Sequence, residues 1–544
     1  MNLKPYLIVP FLVLTIIGIS GLTIVPQNIS KVALETTTTD GVTICYNLYT
    51  PKNLAEPVPV VVIGHGINVN KEMMTNFAVE LAAQNYIVAN LDWRGHGRST
   101  GYLTTDGLYR DLEAVIADLP LHVPADTEQI ALLGYSMGGF PTYRYAVDHS
   151  TVKAWVGVGT TADGDISDKT NPQNVLMIIA KYDEAFSPEE AKEPMVDLTG
   201  VSLNDIEFEK LYGDITKGTA RKVHIVPGAD HLTTPWNSDF VYTATSWIVK
   251  TFGGSYDSVT TFYPRAGFLL VGIIGLIGFL STLSFVLAEK FDLKSNNFHL
   301  DEPLSVKAFV GRYYLVTFLF IPTVLLFVPL FLTPLPFTAL LTTVTGGLGI
   351  NLLVYCWFLA KRGKRSLKTI VKSNVCQSLG IWLFSALITV VFVGCYYFLV
   401  GKHFLGMVPS QPKVPYLALY TGILFFVFFF YSFFIQKASV PFLEKKVKVK
   451  NSGVNLLFMG IFNFVLIYSW FCVIILVPCF VMDNYFFAMI LILMIPIFLF
   501  LVFFSVYMER VTGSLIPNAV LQAVWSGLVI TTLTPFVSGL AFVG

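Results

Sequence analysis

Long apolar runs and shorter alternating segments divide this 544-residue chain into regions of different character. A membrane-spanning helix needs about 20 consecutive apolar residues. Runs of roughly this length lie at residues 6–26, 266–288, 313–333, 336–360, 379–400, 415–435, 454–481, 485–507 and 514–541. The pattern predicts about nine transmembrane helices, although a different division of residues 454–507 changes the count by one.

The first apolar run has two interpretations. Lys4 and the apolar stretch after it also fit a secretory signal peptide. However, the run is long for the apolar part of such a peptide, and no small-residue cleavage site follows it. We expect an uncleaved membrane anchor over residues 1–29, with a cleaved signal peptide as the alternative.

Residues 30–255 show short apolar runs separated by turns and helix-like segments. Asp40-Gly41, between two Thr/Val-rich runs, predicts a β-hairpin. Further apolar runs predict strands at residues 58–63, 87–91, 130–133, 154–158, 175–180 and 223–226. Because strands that alternate with helices form a mostly parallel sheet covered on both faces, we expect an α/β domain here and an all-α transmembrane domain over residues 256–544.

Composition and charge support this division. A hydrophobic fraction of 54% and a mean hydropathy of +0.63 exceed what one soluble core requires. Residues 1–264 contain 29 acidic and 17 basic residues, whereas residues 265–544 contain 7 and 19. The chain shows no continuous basic patch for nucleic acid and no cysteine spacing of a metal site. We therefore predict the lipid bilayer as a partner, and no nucleic acid, metal or cofactor.

The segment Gly134-Tyr135-Ser136-Met137-Gly138 follows a predicted strand and opens a helix-like stretch. A G-x-S-x-G nucleophile elbow requires this strand–turn–helix context. Glycines flank the serine because the turn is strained and neighbouring backbones approach closely. The pattern predicts Ser136 as a nucleophile, with a structural Gly/Ser turn as the alternative.

The partners of such a serine follow it in the order Ser…Asp…His. Asp183 and His231 both lie just past the carboxyl ends of predicted strands, where α/β sheets place their active sites. His231 would act as general base, and Asp183 would orient its imidazole. The acids that compete with Asp183 for this role are Glu184, Asp163 and Asp165.

An oxyanion hole needs backbone N–H groups aimed at the developing negative charge. One is expected from Met137, which directly follows the nucleophile. The other is expected from the loop Gly64-His65-Gly66-Ile67, with Ile67 as first choice and Gly66 as second.

These motifs, together with Asp92-Trp93-Arg94-Gly95-His96-Gly97-Arg98-Ser99, resemble the α/β-hydrolase superfamily. The resemblance is to its serine aminopeptidase/monoglyceride-lipase-like and dienelactone-hydrolase-like branches, and it implies a Ser-His-Asp triad. Monoglyceride-lipase-like members usually carry a helical cap between two strands that correspond to 154–158 and 175–180. Only about 16 residues separate these strands here, so we expect no large cap. Residues 186–221, the membrane surface or the helical bundle would close the pocket instead.

Short basic links predict the orientation, because cytoplasmic loops are enriched in lysine and arginine. The link 361–376 carries six basic residues and no acid, and the link 436–453, which begins near Lys437, carries five lysines against Glu444 alone. With nine helices both links lie on the cytoplasmic side, together with the N-terminus. The domain at residues 30–255 is then extracytoplasmic, at the cell membrane.

The apolar runs contain no ionisable residue well inside them, which argues against an ion-coupled transporter. Their polar residues Asn351, Asn463, Asn518 and Gln522 are expected to join helices. The favoured function is hydrolysis of lipid or small carboxylic esters at or near the membrane. The alternative is a serine peptidase or acyltransferase with the same triad. A third hypothesis is a binding, assembly or transport protein that uses the hydrolase domain for docking.

Overall fold

A computed structural model of the protein describes residues 5–24, 26–52, 54, 56–293, 300, 304–363, 366, 368, 371–372, 378–447 and 451–538. The chain forms two compact units. Of the described residues, the sheet unit comprises those within 17–270, 397–414 and 532–538. The helical unit comprises those within 5–16, 271–396 and 415–531.

Eight strands form one sheet in the sheet unit. They are β1 (Ile29–Thr37), β2 (Thr43–Pro51), β3 (Val58–Gly64), β4 (Ile87–Leu91), β5 (Ala125–Tyr135), β6 (Val152–Val158), β7 (Val175–Tyr182) and β8 (Arg221–Asp230). Their spatial order is β1-β2-β4-β3-β5-β6-β7-β8. The pairs β1–β2 and β2–β4 are antiparallel and every later pair is parallel. The predicted Asp40-Gly41 hairpin joins β1 to β2, with Gly41 at φ +81°.

Helices cover the central strands, which explains their continuous apolar sequences. The helices are Thr75–Ala83, Thr105–Asp118, Gly139–Asp148, Glu193–Thr199 and Ser238–Thr251. The first packs against the last, and the second packs against the third. Residues 60–63 of β3 have no exposed surface, as expected for a parallel strand buried on both faces. The predicted α/β fold with a mostly parallel sheet is confirmed.

The link between β6 and β7 contains no inserted cap. It runs through residues 159–174 and forms only a 3₁₀ turn at Gly164–Ile166. The longer link between β7 and β8 contains the helix Glu193–Thr199 and 3₁₀ turns at Glu190–Lys192, Leu203–Asp205 and Ile215–Lys217. The prediction of an α/β domain without a large cap is confirmed.

Two distant segments also belong to the sheet unit. Ser410 donates a backbone hydrogen bond to Gly97 O at 2.9 Å. Phe536 pairs with the same region, since its N–H donates to Gly95 O and its carbonyl accepts from Leu103 N, both at 2.8 Å. Ser410 and Phe536 lie within the range 256–544, which was predicted to be all helical. They belong instead to the sheet unit, where they pair with the loop after β4.

Long apolar helices make up most of the remaining chain. Among the described residues, eight helices are long and apolar enough to cross a membrane: Pro5–Ile24, Phe262–Lys290, Pro336–Arg362, Leu379–Leu405, Gln411–Lys446, Ser452–Met482, Phe486–Thr512 and Ile516–Leu533. The pair Val306–Leu319 and Ile321–Leu332, bent by 44°, makes a ninth if it counts as one span. These helices lie where the apolar runs predicted them.

Polar side chains join several of these helices. Asn351 Nδ2 donates to Thr317 O at 3.1 Å, and its Oδ1 accepts from Thr323 at 2.8 Å. Asn518 Nδ2 donates to Ser432 Oγ at 2.8 Å. Asn463 instead bonds within its own helix, to Met459 O, and within the described chain the Gln522 amide has no hydrogen-bond partner. The expected role in joining helices holds for the first two residues.

The assignment of Lys437 to a loop is wrong. It lies in a π-helical turn, Ile435–Ser439, inside the long helix Gln411–Lys446. Its buried Nζ contacts Glu509 Oε1 at 3.0 Å and donates to Gly513 O at 3.1 Å. An ion pair allows a helix to continue through a buried charge, and a partner 72 residues away in the sequence leaves no local pattern. Of the predicted basic links, Lys448, Lys450, Lys364 and Arg365 lie outside the described residues.

Candidate active site

The sharp turn between β5 and the helix Gly139–Asp148 presents Ser136. The serine has φ +51°, a left-handed conformation that is rare for a residue with a side chain. A Cβ on Gly134 would lie 2.4 Å from Thr142 Oγ1, and one on Gly138 would lie 2.6 Å from Gly64 O. Both positions therefore require glycine, and the strained turn holds Ser136 above the carboxyl edge of the sheet.

The structure brings Ser136, His231 and Asp183 into one hydrogen-bonded line. His231 Nε2 lies 3.0 Å from Ser136 Oγ. On the other side of the ring, Nδ1 lies 2.9 Å from both carboxylate oxygens of Asp183. With the ring proton on Nδ1 donated to Asp183, Nε2 is free to accept the serine O–H. All three side chains are buried.

Asp183 is itself held in place by the backbone. Its Oδ1 accepts the N–H groups of Ala185 and Phe186 at 2.9 and 2.8 Å. Its neighbour Glu184 has a different contact, because Glu184 Oε2 accepts the backbone N–H of His231 at 3.1 Å. Of the adjacent pair, only Asp183 is hydrogen-bonded to the imidazole in the structure.

The other two acids considered from sequence lie away from the imidazole. Asp163 caps a 3₁₀ turn by accepting the N–H of Asp165 at 3.1 Å. Both residues line a cavity that opens beside Phe140 and Phe186.

The loop after β3 packs directly against Ser136. A Cβ on Gly66 would lie 2.9 Å from Ser136 Cβ, so this loop approaches the serine as closely as a glycine allows. Ile67 follows at a half-buried position, and Met137 lies in the 3₁₀ turn Ser136–Gly138. The predicted oxyanion residues are therefore on the segments that flank Ser136.

His65 braces the same loop. Its Nδ1 lies 2.7 Å from Gly66 O, and its Nε2 accepts Trp93 N at 3.1 Å. Trp93 Nε1 in turn donates to His65 O at 2.8 Å. Burial lowers the pKa of His65 to about 4, so the ring is neutral at pH 7 and supplies one donor and one acceptor.

The Asp92–Ser99 segment also has a structural role. Arg94 forms ion pairs with Asp40 and Asp111, each at 2.8 Å. Burial alone raises the pKa of Asp92, but the adjoining Lys71 ammonium outweighs burial and holds this pKa below its usual value. These contacts fix the shape of the loop after β4.

Sequence reasoning missed three residues around the imidazole. Tyr135 Oη donates to His231 O at 2.8 Å, and its ring stacks on the imidazole at a centroid distance of 5.3 Å. The Phe186 ring lies 5.9 Å from the His231 ring, and a Cβ on Gly159 would lie 3.2 Å from His231 Nδ1. Tyr135 occupies a variable position of the elbow motif, so its identity alone carried no signal.

Comparison with known families agrees with this geometry. Residues 55–214 match the family model described as serine aminopeptidase, S33. The match covers the strands that present Ser136 and Asp183. The chain contains an α/β-hydrolase domain.

Three solved structures illustrate what the chain is similar to. An esterase of Pyrococcus furiosus is 16% identical, covers 42% of this chain and 95% of its own, and has a TM-score of 0.33. An α/β serine hydrolase without lid from Xanthomonas campestris is 18% identical, with coverages of 41% and 94% and a TM-score of 0.31. A puromycin hydrolase is 15% identical, with coverages of 43% and 41% and a TM-score of 0.32.

A cavity of about 500 Å³ is lined in part by Ala185 and Phe186, whose backbone N–H groups donate to Asp183. Phe186 and Phe140, whose rings are 6.2 Å apart, form one side of it. Its lining carries no lysine or arginine but has five acids: Asp163, Asp165, Glu190, Glu193 and Asp197. In the described part of the chain, no three His, Cys, Asp or Glu side chains are grouped so as to hold a metal ion.

Proposed function

We propose that this protein is a membrane-bound serine hydrolase that cleaves acyl esters through an acyl-enzyme. One observation carries the proposal: Ser136 Oγ, the His231 ring and the Asp183 carboxylate lie in a continuous hydrogen-bonded line at a nucleophile elbow. A structural Gly/Ser turn has no need of a buried His–Asp pair at the serine hydroxyl.

The reaction begins when Ser136 Oγ attacks the ester carbonyl. His231 Nε2 takes the hydroxyl proton and then gives it to the departing alcohol, while Asp183 stabilises the imidazolium. The acyl group is then held on Ser136 as an ester. Water, deprotonated by the same His231 nitrogen, attacks this ester. The bond to Ser136 Oγ breaks, His231 returns the proton to that oxygen, and the carboxylic acid is released.

The negative charge that develops on the carbonyl oxygen needs preorganised donors. The Met137 amide and the backbone N–H of Ile67, or of Gly66 in second place, are proposed for this role. Their support is the close packing of Gly66 on Ser136 and the neutral, hydrogen-bonded His65 behind the loop.

An ester at or near a membrane is the favoured substrate class. The exposed ring of Phe140 and the neighbouring Phe186 offer an apolar surface beside the triad. The β6–β7 link has no cap over this surface, and the same chain carries long apolar helices. A lipid or small carboxylic ester would be accepted without opening a large lid.

A peptidase is the second candidate, and the acidic cavity favours it. Five carboxylates without a basic residue in the lining would attract the free amino group of a peptide through charge. The matching family model carries the description serine aminopeptidase. The same triad chemistry applies, with an amine as leaving group.

A fluorophosphonate probe tests the enzyme proposal on the full-length protein. We expect labelling of the wild type and none of Ser136→Ala, with Ser167→Ala as the matched control that labels normally. Ser167 lies in the same unit, 2.5 Å from Asp163 O. Absence of wild-type labelling in a folded preparation would refute the proposal.

Substrate profiling then separates the two candidates. The full-length protein is assayed against p-nitrophenyl esters, acylglycerols and aminoacyl amides, and the double variant Asp163→Asn/Asp197→Asn is compared. An esterase should retain its kcat/KM in this variant. A peptidase should prefer the amides and lose kcat/KM for substrates with a free amino group, by roughly tenfold if one charged contact is removed.

A further inference from the structure

A second cavity of about 470 Å³ lies in the sheet unit, and its lining includes none of Ser136, Asp183 and His231. Its volume is within the range of about 300–1,000 Å³ that is typical of small-molecule sites. Its walls come from the chain before β1, from β1 and β2, from the loops after β3 and β4, and from residues 397–408. It is therefore separate from the acidic cavity beside the triad.

Positive charge dominates this second cavity. Two carboxylates line it, those of Glu72 and Asp92. Glu72 is paired with Lys31 at 3.2 Å, and Asp92 is paired with Lys71. Five lysine or arginine side chains line it: Lys31, Lys71, Arg98, Arg265 and Lys402. Arg98 is paired with Glu35 at 3.3 Å, which leaves Arg265 and Lys402 without a carboxylate partner among the described residues.

Arg265 is the most unusual of these cations, because it is buried without a carboxylate. Its side chain is 2% exposed. The only hydrogen bonds of its guanidinium within the described residues are long ones, at 3.4 Å each, to Leu22 O and Asn76 Oδ1. The group lies over the Phe404 ring at 5.2 Å. Its Nη2 is buried and has no partner in the described part of the chain.

His403 adds a second unsatisfied group to the same wall. The residue is 6% exposed, and its Nε2 has no hydrogen-bond partner among the residues described. Buried polar groups are almost always hydrogen-bonded, so these two groups on one cavity are available to hydrogen-bond a ligand. The planar guanidinium of arginine is suited to carboxylate and phosphate oxygens.

We infer that this cavity binds the oxyanion of an anionic amphiphile, with Arg265 as its principal contact and His403 and Lys402 beside it. Apolar side chains complete the lining, among them Leu22, Val79 and Met407, and would receive the start of an acyl chain. An anionic phospholipid combines both features.

The position of the cavity in the chain favours a lipid as the source of the oxyanion. Leu22 and Thr23 are in the last turn of the apolar helix Ile8–Ile24, and Arg265 is in the first turn of Phe262–Lys290. Helix ends of this kind lie at headgroup level when the helices cross a bilayer. The lipid source rests on the proposed membrane insertion, whereas the oxyanion site does not.

Thermal unfolding of the full-length protein in a neutral detergent tests the inference. Ligands are added in three arms: phosphatidylglycerol, phosphatidylcholine and inorganic phosphate. A ligand that binds the folded state raises the midpoint with its concentration. We expect phosphatidylglycerol to raise the midpoint, phosphatidylcholine to do so much less, and Arg265→Gln to weaken the apparent affinity for phosphatidylglycerol at least about tenfold.

Arg144→Gln is the matched control, because this exposed arginine lies outside the cavity, over the Tyr109 ring at 5.9 Å. The affinity of Arg144→Gln for phosphatidylglycerol should equal that of the wild type. If Arg265→Gln does not fold, the exposed Lys402→Gln should still weaken binding, by about threefold. Stabilisation by phosphate alone, lost in Arg265→Gln, would support the oxyanion site with a soluble ligand. Absence of stabilisation by both anions, or equal affinity in Arg265→Gln and wild type, would overturn the inference.

Fluorophosphonate labelling at Ser136 is read out separately on the same preparations. Loss of lipid binding with intact labelling would count against this cavity alone. Loss of labelling with intact lipid binding would count against the proposed hydrolase instead.

Discussion

At the scale of single residues, Asp183 and Glu184 are adjacent carboxylates with different partners. Asp183 contacts the imidazole of His231, and Glu184 accepts the backbone N–H of the same residue. We predict that Asp183→Asn lowers kcat by roughly 10⁴, because the imidazole loses the acceptor that fixes its tautomer. Glu184→Gln should change kcat less than threefold, since its amide oxygen still accepts that N–H. Kinetics with a p-nitrophenyl ester measure both variants, and an equal loss in Glu184→Gln would reassign the acid.

Gly66 and Gly41 separate two reasons for which a chain needs glycine. At Gly66 a Cβ would meet Ser136 Cβ at 2.9 Å and the Tyr135 ring at 3.1 Å. Gly66→Ala should therefore displace the loop after β3, which carries the proposed oxyanion donors, and lower kcat by about 10² or more. At Gly41, which has φ +81°, an added Cβ would have no atom within 4 Å apart from those of adjacent residues. Gly41→Ala should cost about 1 kcal/mol of stability and leave kcat unchanged.

Steady-state kinetics and thermal unfolding of both glycine variants measure these two effects. A Gly66→Ala enzyme with wild-type kcat would show that the loop can shift without loss of the oxyanion donors. It would place the second donor elsewhere than on this loop.

At the scale of elements, the buried pair Lys437–Glu509 joins two long helices of the helical unit. Lys437 Nζ contacts both carboxylate oxygens, at 3.0 and 3.1 Å. Removing one partner leaves a buried charge uncompensated, so Glu509→Gln should destabilise the protein by about 3 kcal/mol. The double variant Lys437→Met/Glu509→Leu should recover most of this loss, because an apolar pair needs no compensation.

The same two helices provide a control for that prediction. Arg510 and Glu444 form an ion pair at 3.4 Å in which the glutamate side chain is 45% exposed. Exposed pairs contribute about 0–1 kcal/mol, so Glu444→Gln should scarcely move the thermal midpoint in detergent. If Lys437→Met/Glu509→Leu is as unstable as Glu509→Gln, the ion pair itself stabilises the contact between the helices. The loss in Glu509→Gln would then not come from the uncompensated charge of Lys437.

The elements that could be predicted from sequence are those specified by local patterns. The strands, the elbow at Ser136 and the apolar helices each carry their signal within about 20 consecutive residues. The Lys437–Glu509 pair and the contact of Glu184 with His231 depend on residues that meet only in the folded chain. The pairing of Phe536 with Gly95 and Leu103 belongs to the same class, since a backbone hydrogen bond leaves no trace in residue type.

At the scale of the whole molecule, these non-local contacts bear on membrane topology. Ser410 and Phe536 pair with the loop after β4. If the long apolar helices cross a bilayer, as we propose, the links around Ser410 and Phe536 lie on the same side of it as the hydrolase domain. An even number of crossings must then separate that domain from Ser410. The helices Phe262–Lys290, Pro336–Arg362 and Leu379–Leu405 supply three, so the bent pair at residues 306–332 must supply the fourth.

The same count predicts the side of the membrane on which the hydrolase domain lies. With nine crossings, the basic ends of the helices Pro336–Arg362 and Gln411–Lys446 lie opposite that domain. Basic links are cytoplasmic, so the hydrolase domain should be extracytoplasmic. In intact cells, an impermeant maleimide should label Ser150→Cys and should label Lys446→Cys only after permeabilisation, with the wild-type chain as background. The reverse pattern would invert the orientation, and labelling of both in intact cells would mean that the bent pair does not cross.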